Sequence, residues 1–154
     1  MMRSDPAGVA GAAEHRRLLA ESVADFAARG TDIARAKGLF DDPGFVDRFT
    51  ALKLDIEDGA TLYGRFVEQV KRGEPLGQDV SMLKVWTMET WQRLTELLVE
   101  VGAEQGVVAG VHDVAGVETD FLNPFYYARP ATIYGGSSEI QRNILAKYVL
   151  KLPG

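Results

Sequence analysis

The chain has 154 residues, 46% of them hydrophobic and 25% charged, which is typical of one globular domain. The net charge is −5 and the 17 basic residues are scattered, so we expect neither a nucleic-acid nor a membrane partner. Without cysteine, with only His15 and His112, and without a long apolar run or leader pattern, the chain is predicted to be cytoplasmic and free of disulfides and bound metal.

The N-terminal region is predicted to change from coil to helix. Residues 1–13 are rich in alanine and glycine and are expected to form a disordered lead-in. Residues 14–37 follow a helical pattern, which Gly30 interrupts, so a first helix is expected to end near Arg29. The domain organisation expected is a lead-in, an N-terminal helix over 14–37, and a helical bundle over 38–154.

The second helix is the clearest predicted element. Asp42 can cap its start and Pro43 suits the first helical position. Apolar residues then recur with alternating spacings of four and three, which predicts a buried bundle seam. The seam consists of Phe45, Phe49, Leu52, Ile56, Gly59, Tyr63, Phe66 and Val70.

A third helix is predicted from about Gln78–Val80 to Val101, with Trp86 and Trp91 as core or interface residues. Residues 102–117 are rich in glycine and valine but have no clean period. We therefore expect a loop there, with at most one short helical turn.

The last third of the chain is predicted to contain two further helical pieces. Residues 123–127 look turn-like, and Pro130 can open a short helix over Ala131–Tyr134. The final helix is expected over Ser138–Leu150. No segment alternates like a strand beside a hairpin turn, so essentially no sheet is predicted. The fold class expected is all-α, an up-down bundle of three to four long helices.

The most informative segment is residues 133–152, IYGGSSEIQRNILAKYVLKL. Its paired glycines let another molecule approach the backbone closely. Ser137 or Ser138 can cap the following helix, and Glu139 in the first turn suits the helix dipole. Free N–H groups at such a start favour an anion or phosphate, although a purely structural cap is the simpler interpretation.

The whole string resembles the C-terminal signature of the acyl-CoA dehydrogenases, flavoenzymes that desaturate acyl-CoA thioesters. The matching positions are Arg129, Ala131–Gln141, Arg142–Ile144, Ala146 and Val149-Leu150-x-Leu152-Pro153. The resemblance implies FAD as cofactor, with Gly136, Ser137 and Glu139 in contact with it. It also points to Gln105 and Gly106 as FAD contacts, with a flexible connection as the alternative interpretation.

The resemblance implies that the chain lacks the family's usual base. In many members a glutamate between the signature tyrosine and the second glycine removes the substrate α-proton, and Gly135 occupies that position. Other members carry the glutamate on the first helix of the C-terminal domain. Glu14 and Glu21 lie on the helix that would replace it, but no motif supports either, so no catalytic residue is predicted.

The extent of the resemblance suggests a partial subunit. Residues 40–154 resemble the family's C-terminal helical domain, and residues 15–30 resemble its opening helix. The middle β-domain, which covers the flavin in the family, would then be absent. We expect a homo-oligomer or a partner chain of the same family, with acyl-CoA bound only in the assembly. The competing hypothesis to such a subunit is a non-enzymatic helical oligomerisation module.

A third possibility, a four-helix bundle with a di-metal site, is excluded because Glu-x-x-His pairs are absent.

Overall fold

A computed structural model describes residues 23–153. The elements are α1 (described over residues 23–36), α2 (Pro43–Lys71), α3 (Ser81–Gly102), β1 (Val111–Val114), β2 (Val117–Asp120), α4 (Leu122–Ala131), α5 (Ser138–Ile144) and a π-helical segment (Leu145–Val149). Short 3₁₀ turns occur at Leu39–Asp41, Gln78–Val80 and Gln105–Val107. The predicted lead-in and the start of the first helix lie outside the described residues. No described helix is both long and apolar enough to cross a membrane.

Helix α1 runs through Gly30, so the predicted end near Arg29 is wrong. Gly30 is buried, and a Cβ built on it would collide with the side chain of Leu98 on α3. The missing side chain therefore serves close packing of two helices and does not break the first one. At the end of α1 the Lys37 ammonium donates to the Val101 carbonyl at 2.8 Å, which ties the two helices together again.

Helix α2 begins as predicted and is the longest described element, with 29 residues. The Asp42 carboxylate accepts a hydrogen bond from the Gly44 N–H at 2.9 Å, and Pro43 occupies the first helical position. The predicted seam is most deeply buried at Phe45, Leu52 and Phe66. Val70 is 50% exposed, so the seam leaves the bundle in its last turn.

Helix α3 forms the centre of the bundle, and residues from α1, α2 and the hairpin pack with it into one core. The buried apolar residues of this core are Phe26, Ile33, Ala34, Phe45, Leu52, Leu94, Leu97, Leu98, Val101, Val114 and Phe121. Trp91 packs at its edge, with its ring centroid 5.6 Å from that of Phe26. Trp86 lies between α2 and α3, where its indole N–H donates to the Asp55 carbonyl at 2.6 Å.

Residues 111–120 form an antiparallel hairpin, so the prediction of essentially no sheet is wrong here. Val111 pairs with Asp120 and Val114 with Val117, around a two-residue turn at Ala115-Gly116. Both turn residues have positive φ, 56° and 82°, which is the geometry of a tight hairpin. Alanine rarely adopts this conformation, so the turn carried little signal in the sequence.

The C-terminal third also differs from the prediction. Residues 123–127 are helical and belong to α4, and just before this helix the Asp120 carboxylate accepts a hydrogen bond from the Asn123 N–H at 3.1 Å. Pro130 lies near the end of α4 and does not start a helix, so the separate helix predicted over Ala131–Tyr134 is absent. The final helix changes from α to π after Ile144, with the Leu150 N–H donating to the Leu145 carbonyl at 2.9 Å.

Candidate functional site

The candidate site is built around the signature loop, residues 133–137, between α4 and α5. The Ser138 N–H donates to the Thr132 carbonyl at 2.9 Å and closes the loop at its base. Gly135 and Gly136 have φ values of 68° and 92°, a left-handed conformation that costs glycine little and other residues more. The two glycines therefore permit the tight reversal, and Gly135 is exposed at its tip.

Ser137 is the N-cap of α5, which decides between the two serines considered. Its Oγ accepts from the Ile140 N–H at 3.4 Å. Ser138 is buried, and its Oγ has no hydrogen-bond partner among the residues that the structure describes. Behind the loop, the Gln141 side-chain amide lies 3.3 Å from the Gly135 carbonyl, and a side chain on Gly136 would collide with that amide.

Charges at the loop favour an ionised Glu139. The nearby hydroxyl of Ser137 lowers the pKa of the Glu139 carboxylate, and the backbone at Glu139, Arg142 and Lys84 act in the same direction. A carboxylate with a lowered pKa is a weak proton acceptor near neutral pH. Partial burial lowers the pKa of Lys84, an effect that the nearby Glu139 opposes.

An open groove of about 720 Å³ lies beside the loop, between α1, α3, the hairpin and α4. Phe26, Met88 and Trp91 contribute apolar surface, and Tyr134 brings the signature loop to the groove. The groove is lined by Val23, Asp25, Phe26, Arg29, Thr87, Met88, Trp91, Val111, Glu118, Asp120, Asn123, Pro124, Tyr127, Ala131 and Tyr134. Arg29 forms an ion pair with Asp25, so these two charges offset each other. The carboxylates of Glu118 and Asp120 on the hairpin therefore give this groove an acidic wall.

Gln105 and Gly106 do not join the signature loop within one chain. They form a 3₁₀ turn after α3, and Gly106 is so close to the Val99 carbonyl that a Cβ would collide with it. The signature loop instead lies near Glu89 of α3, because Arg142 of α5, the helix that follows the loop, donates to the Glu89 carboxylate at 2.7 Å. Ten residues of helix separate Glu89 from Val99, a distance of about 15 Å along α3.

Other predicted positions are less informative. Glu14 and Glu21 lie outside the described residues. Within residues 23–153 no group of three or more histidine, aspartate or glutamate side chains is arranged to hold a metal ion. Sequence reasoning missed the groove, because its walls come from four separated segments. It also missed the roles of Lys84 and Gln92, because α3 carries other polar residues such as Glu89, Arg93 and Glu96 and the sequence does not distinguish between them.

The bundle with its loop before the last helix is the fold of solved acyl-CoA dehydrogenases. One similar structure is the Tcur3481-Tcur3483 steroid ACAD, with a TM-score of 0.72 and 19% identity over 88% of this chain and 36% of that chain. A variant of the same protein gives 0.73 and 19%, over 88% and 37%. At this identity the likeness concerns the fold.

The sequence comparison then identifies the family. The family profile described as acyl-CoA dehydrogenase, C-terminal domain, matches residues 7–150, so the chain belongs to the acyl-CoA dehydrogenase family. Its relatives include acyl-CoA dehydrogenase IpdE1 of Mycobacterium tuberculosis, 34% identical over 128 residues, covering 79% of this chain and 30% of the relative. IpdE1 of Mycolicibacterium smegmatis is 32% identical over 123 residues, covering 79% and 29%.

These comparisons confirm the predicted family and helical fold. The chain spans about three tenths of the length of the curated relatives it matches. Members of the family are in general FAD-dependent oxidoreductases. The match to the C-terminal domain begins at residue 7 and therefore includes α1, so α1 belongs to that domain and the expected likeness of residues 15–30 to the family's opening helix is wrong.

Proposed function

We propose that this chain supplies one wall of a shared FAD and acyl-thioester site in an acyl-CoA dehydrogenase assembly and does not dehydrogenate acyl-CoA alone. The observation that carries the proposal is Gly135, which has no side chain where many family members have the base. Desaturation needs a group that takes the α-proton, and the bound flavin accepts the β-hydrogen as hydride. Glu139, with its lowered pKa, is a poor substitute for that base.

The residues of the loop fit part of FAD. Ser137 offers a hydroxyl and Glu139 a carboxylate. Gly135 offers an exposed backbone, and among the described residues no atom lies within 4 Å of a Cβ built on it. A carboxylate accepts hydrogen bonds from hydroxyl or ring N–H groups but repels phosphate. We therefore assign Gly136, Ser137 and Glu139 to the hydroxyl-bearing or ring part of FAD, away from its pyrophosphate.

The separation of the two candidate FAD surfaces supports a shared site. Gln105 and Gly106 lie beyond the C-terminal end of α3, whereas the signature loop lies beside its N-terminal half. We propose that each surface contributes to a different FAD, completed by a second copy or a partner chain of the same family. The neighbouring structure joins two designations, Tcur3481 and Tcur3483, in agreement with such an assembly.

The groove suits a bulky acyl group. Its volume is within the usual range for small-molecule sites, and Phe26, Trp91 and Tyr127 provide flat aromatic surface. Glu118 and Asp120 would repel the phosphates of CoA, so the groove is assigned to the acyl part. We propose thioesters of ring-bearing acyl groups as substrates, a class that includes the steroid type in the name of the structural neighbour.

The second candidate function is a helical oligomerisation module without catalysis. It is favoured by the apolar side chains exposed at the C-terminal end, where Tyr148, Leu150 and Leu152 are all more than half exposed. Such a surface is typical of an interface. The module and the shared active site both predict association, so flavin binding and turnover distinguish them.

The test measures flavin absorbance and single-turnover bleaching with and without a full-length acyl-CoA dehydrogenase subunit. We expect the chain alone to retain little FAD and to give no bleaching with any acyl-CoA. With a partner, Ser137→Ala should weaken FAD binding, and a ring-bearing acyl-CoA should bleach flavin faster than a straight-chain one. Bleaching by the chain alone that is lost in Glu14→Gln or Glu21→Gln would identify a base and overturn the proposal.

A further inference from the structure

We infer that Lys84 and Gln92 of α3 are positioning residues that set the geometry of the signature loop by capping the end of α4. The inference rests on the proposed function only in giving the loop a role at FAD. The capping itself follows from contacts in this chain.

The last four carbonyls of any α-helix lack partners within the helix and need them elsewhere. In α4 these belong to Ala128, Arg129, Pro130 and Ala131, and two of the four residues, Ala128 and Ala131, are almost completely buried. A buried carbonyl without a partner is costly, so each must be accounted for.

Gln92 serves two of these carbonyls. Its side-chain amide nitrogen donates to the Ala128 carbonyl at 3.1 Å and lies 3.3 Å from the Arg129 carbonyl. The same nitrogen is 3.1 Å from the Thr132 hydroxyl, directly before the signature loop. The two hydrogens of this amide are thus shared among three oxygens where α4 ends, and the Thr132 hydroxyl also donates to the Arg129 carbonyl at 3.3 Å.

Lys84 serves a third carbonyl, and the backbone serves the fourth. The Lys84 ammonium donates to the Ala131 carbonyl at 3.1 Å, and the Ile133 N–H donates to the Pro130 carbonyl at 2.9 Å. Lys84 is also near enough to Glu139, beyond the loop, for their charges to act on each other. Lys84 therefore binds the last residue of α4 and attracts the first turn of α5 through its charge.

The loop has little apolar packing of its own. Ile133 is 67% exposed and Tyr134 is 54% exposed, so neither side chain anchors it to the core. On the far side, Glu89 holds Arg142, so α3 fixes both flanks of the loop. The path of residues 133–137 accordingly depends on polar contacts to the helices on either side. Gln92 and Lys84 make these contacts at α4, and Glu89 makes one at α5.

The experiment measures amide hydrogen exchange in the full chain, without flavin. Gln92→Leu and Lys84→Met should each speed exchange of the Ser138 amide by about tenfold, because its bond to Thr132 closes the loop. Lys84→Arg keeps a charged donor and should stay near the original rate. Gln92→Asn keeps the amide on a shorter side chain and should give a smaller increase, which covers the case in which Gln92→Leu does not fold.

Gln69→Leu is the matched control. Gln69 also donates its side-chain amide to a loop carbonyl, that of Pro75 at 2.8 Å, but at the end of α2. It should leave the Ser138 amide unchanged. Unchanged exchange in Gln92→Leu, Gln92→Asn and Lys84→Met, or an equal increase in Gln69→Leu, would overturn the inference.

Flavin titration in the partner assembly separates this inference from the proposed function. If the loop contacts FAD, Gln92→Leu and Lys84→Met should raise the Kd for FAD while Gln69→Leu does not. Faster Ser138 exchange with no FAD bound by any variant would support the positioning and overturn the proposed FAD site. Unchanged exchange would overturn the positioning, whatever the flavin result.

Discussion

The two ends of α3 are stabilised by different physical interactions. Towards its C-terminus, Leu98 and Val101 pack with Ile33 of α1 in an apolar core, and all three are buried. Towards its N-terminus and middle, Lys84 and Gln92 hold backbone carbonyls of α4. Burial of apolar surface is strong but non-directional, whereas hydrogen bonds are weaker and fix geometry. We therefore expect most of the folding free energy at the core end and the geometry of the candidate site at the loop end.

The largest effect should come from the core end. Leu98→Ala should lower the free energy of unfolding by about 2–5 kcal/mol, because it removes buried methyl groups and leaves a cavity. Leu98 is 1% exposed and lies directly against Gly30. Urea denaturation measures the loss. Leu54→Ala is the control, because Leu54 is 56% exposed on α2 and should matter far less. Equal losses in the two variants would contradict the comparison.

A smaller loss is expected where the core end meets the 3₁₀ turn. Gly106→Ala would press a methyl group against the Val99 carbonyl, and the backbone must shift to accept it. Overpacking of this kind costs about 1–3 kcal/mol. Gly64→Ala on α2 is the control, since no described residue comes within 4 Å of its Cβ position, and it should stabilise by about 0.5–1 kcal/mol. Thermal unfolding of both variants checks the opposite signs.

The smallest effect concerns a surface ion pair at the core end. Arg48 binds Glu100 through two hydrogen bonds of 2.7 Å, and this contact lowers the pKa of Glu100 below its ordinary value of 4.5. Both side chains are about half exposed, so solvent screens the pair and its contribution to the free energy of unfolding should be the smallest of the three.

The sign of its pH dependence follows from the lowered pKa. The stabilisation is fully present above the ordinary pKa of Glu100 and is lost as the pH falls through the lowered one. Unfolding of the original chain and Glu100→Gln, compared at pH 7 and pH 3, should therefore show a larger difference at pH 7 than at pH 3. Arg48→Met and the double variant complete the cycle. A difference that grows towards low pH would be inconsistent with the pair.

Much of the bundle was predictable because its elements are periodic. The spacing of α2 and the capping by Asp42 and Pro43 were sufficient to predict its start and length. The hairpin was missed because its strands have four residues each and its turn begins with Ala115. Gly30 was misread because propensity describes a lone helix, whereas a contact with Leu98 on another helix decides this position.

The candidate site likewise has features that local sequence predicts and features that depend on distant segments. The loop and a serine cap are local in sequence and were predictable from residue types, whereas the choice of Ser137 over Ser138 was not. The role of Gln92 was not, because its acceptors lie 36 to 40 residues further along the chain. The groove depends likewise on how α1, α3 and the hairpin assemble, which no single segment encodes.

Gly135 has a consequence for protein engineering. No atom of residues 23–153 lies within 4 Å of the Cβ position at this residue, so a new side chain would meet no packing obstacle from that part of the chain. The remaining obstacle is the backbone, whose φ of 68° costs an ordinary residue about 1–2 kcal/mol. A designer who wants to install a proton acceptor beside the groove therefore has to offset one modest torsional penalty and does not have to redesign the surrounding scaffold.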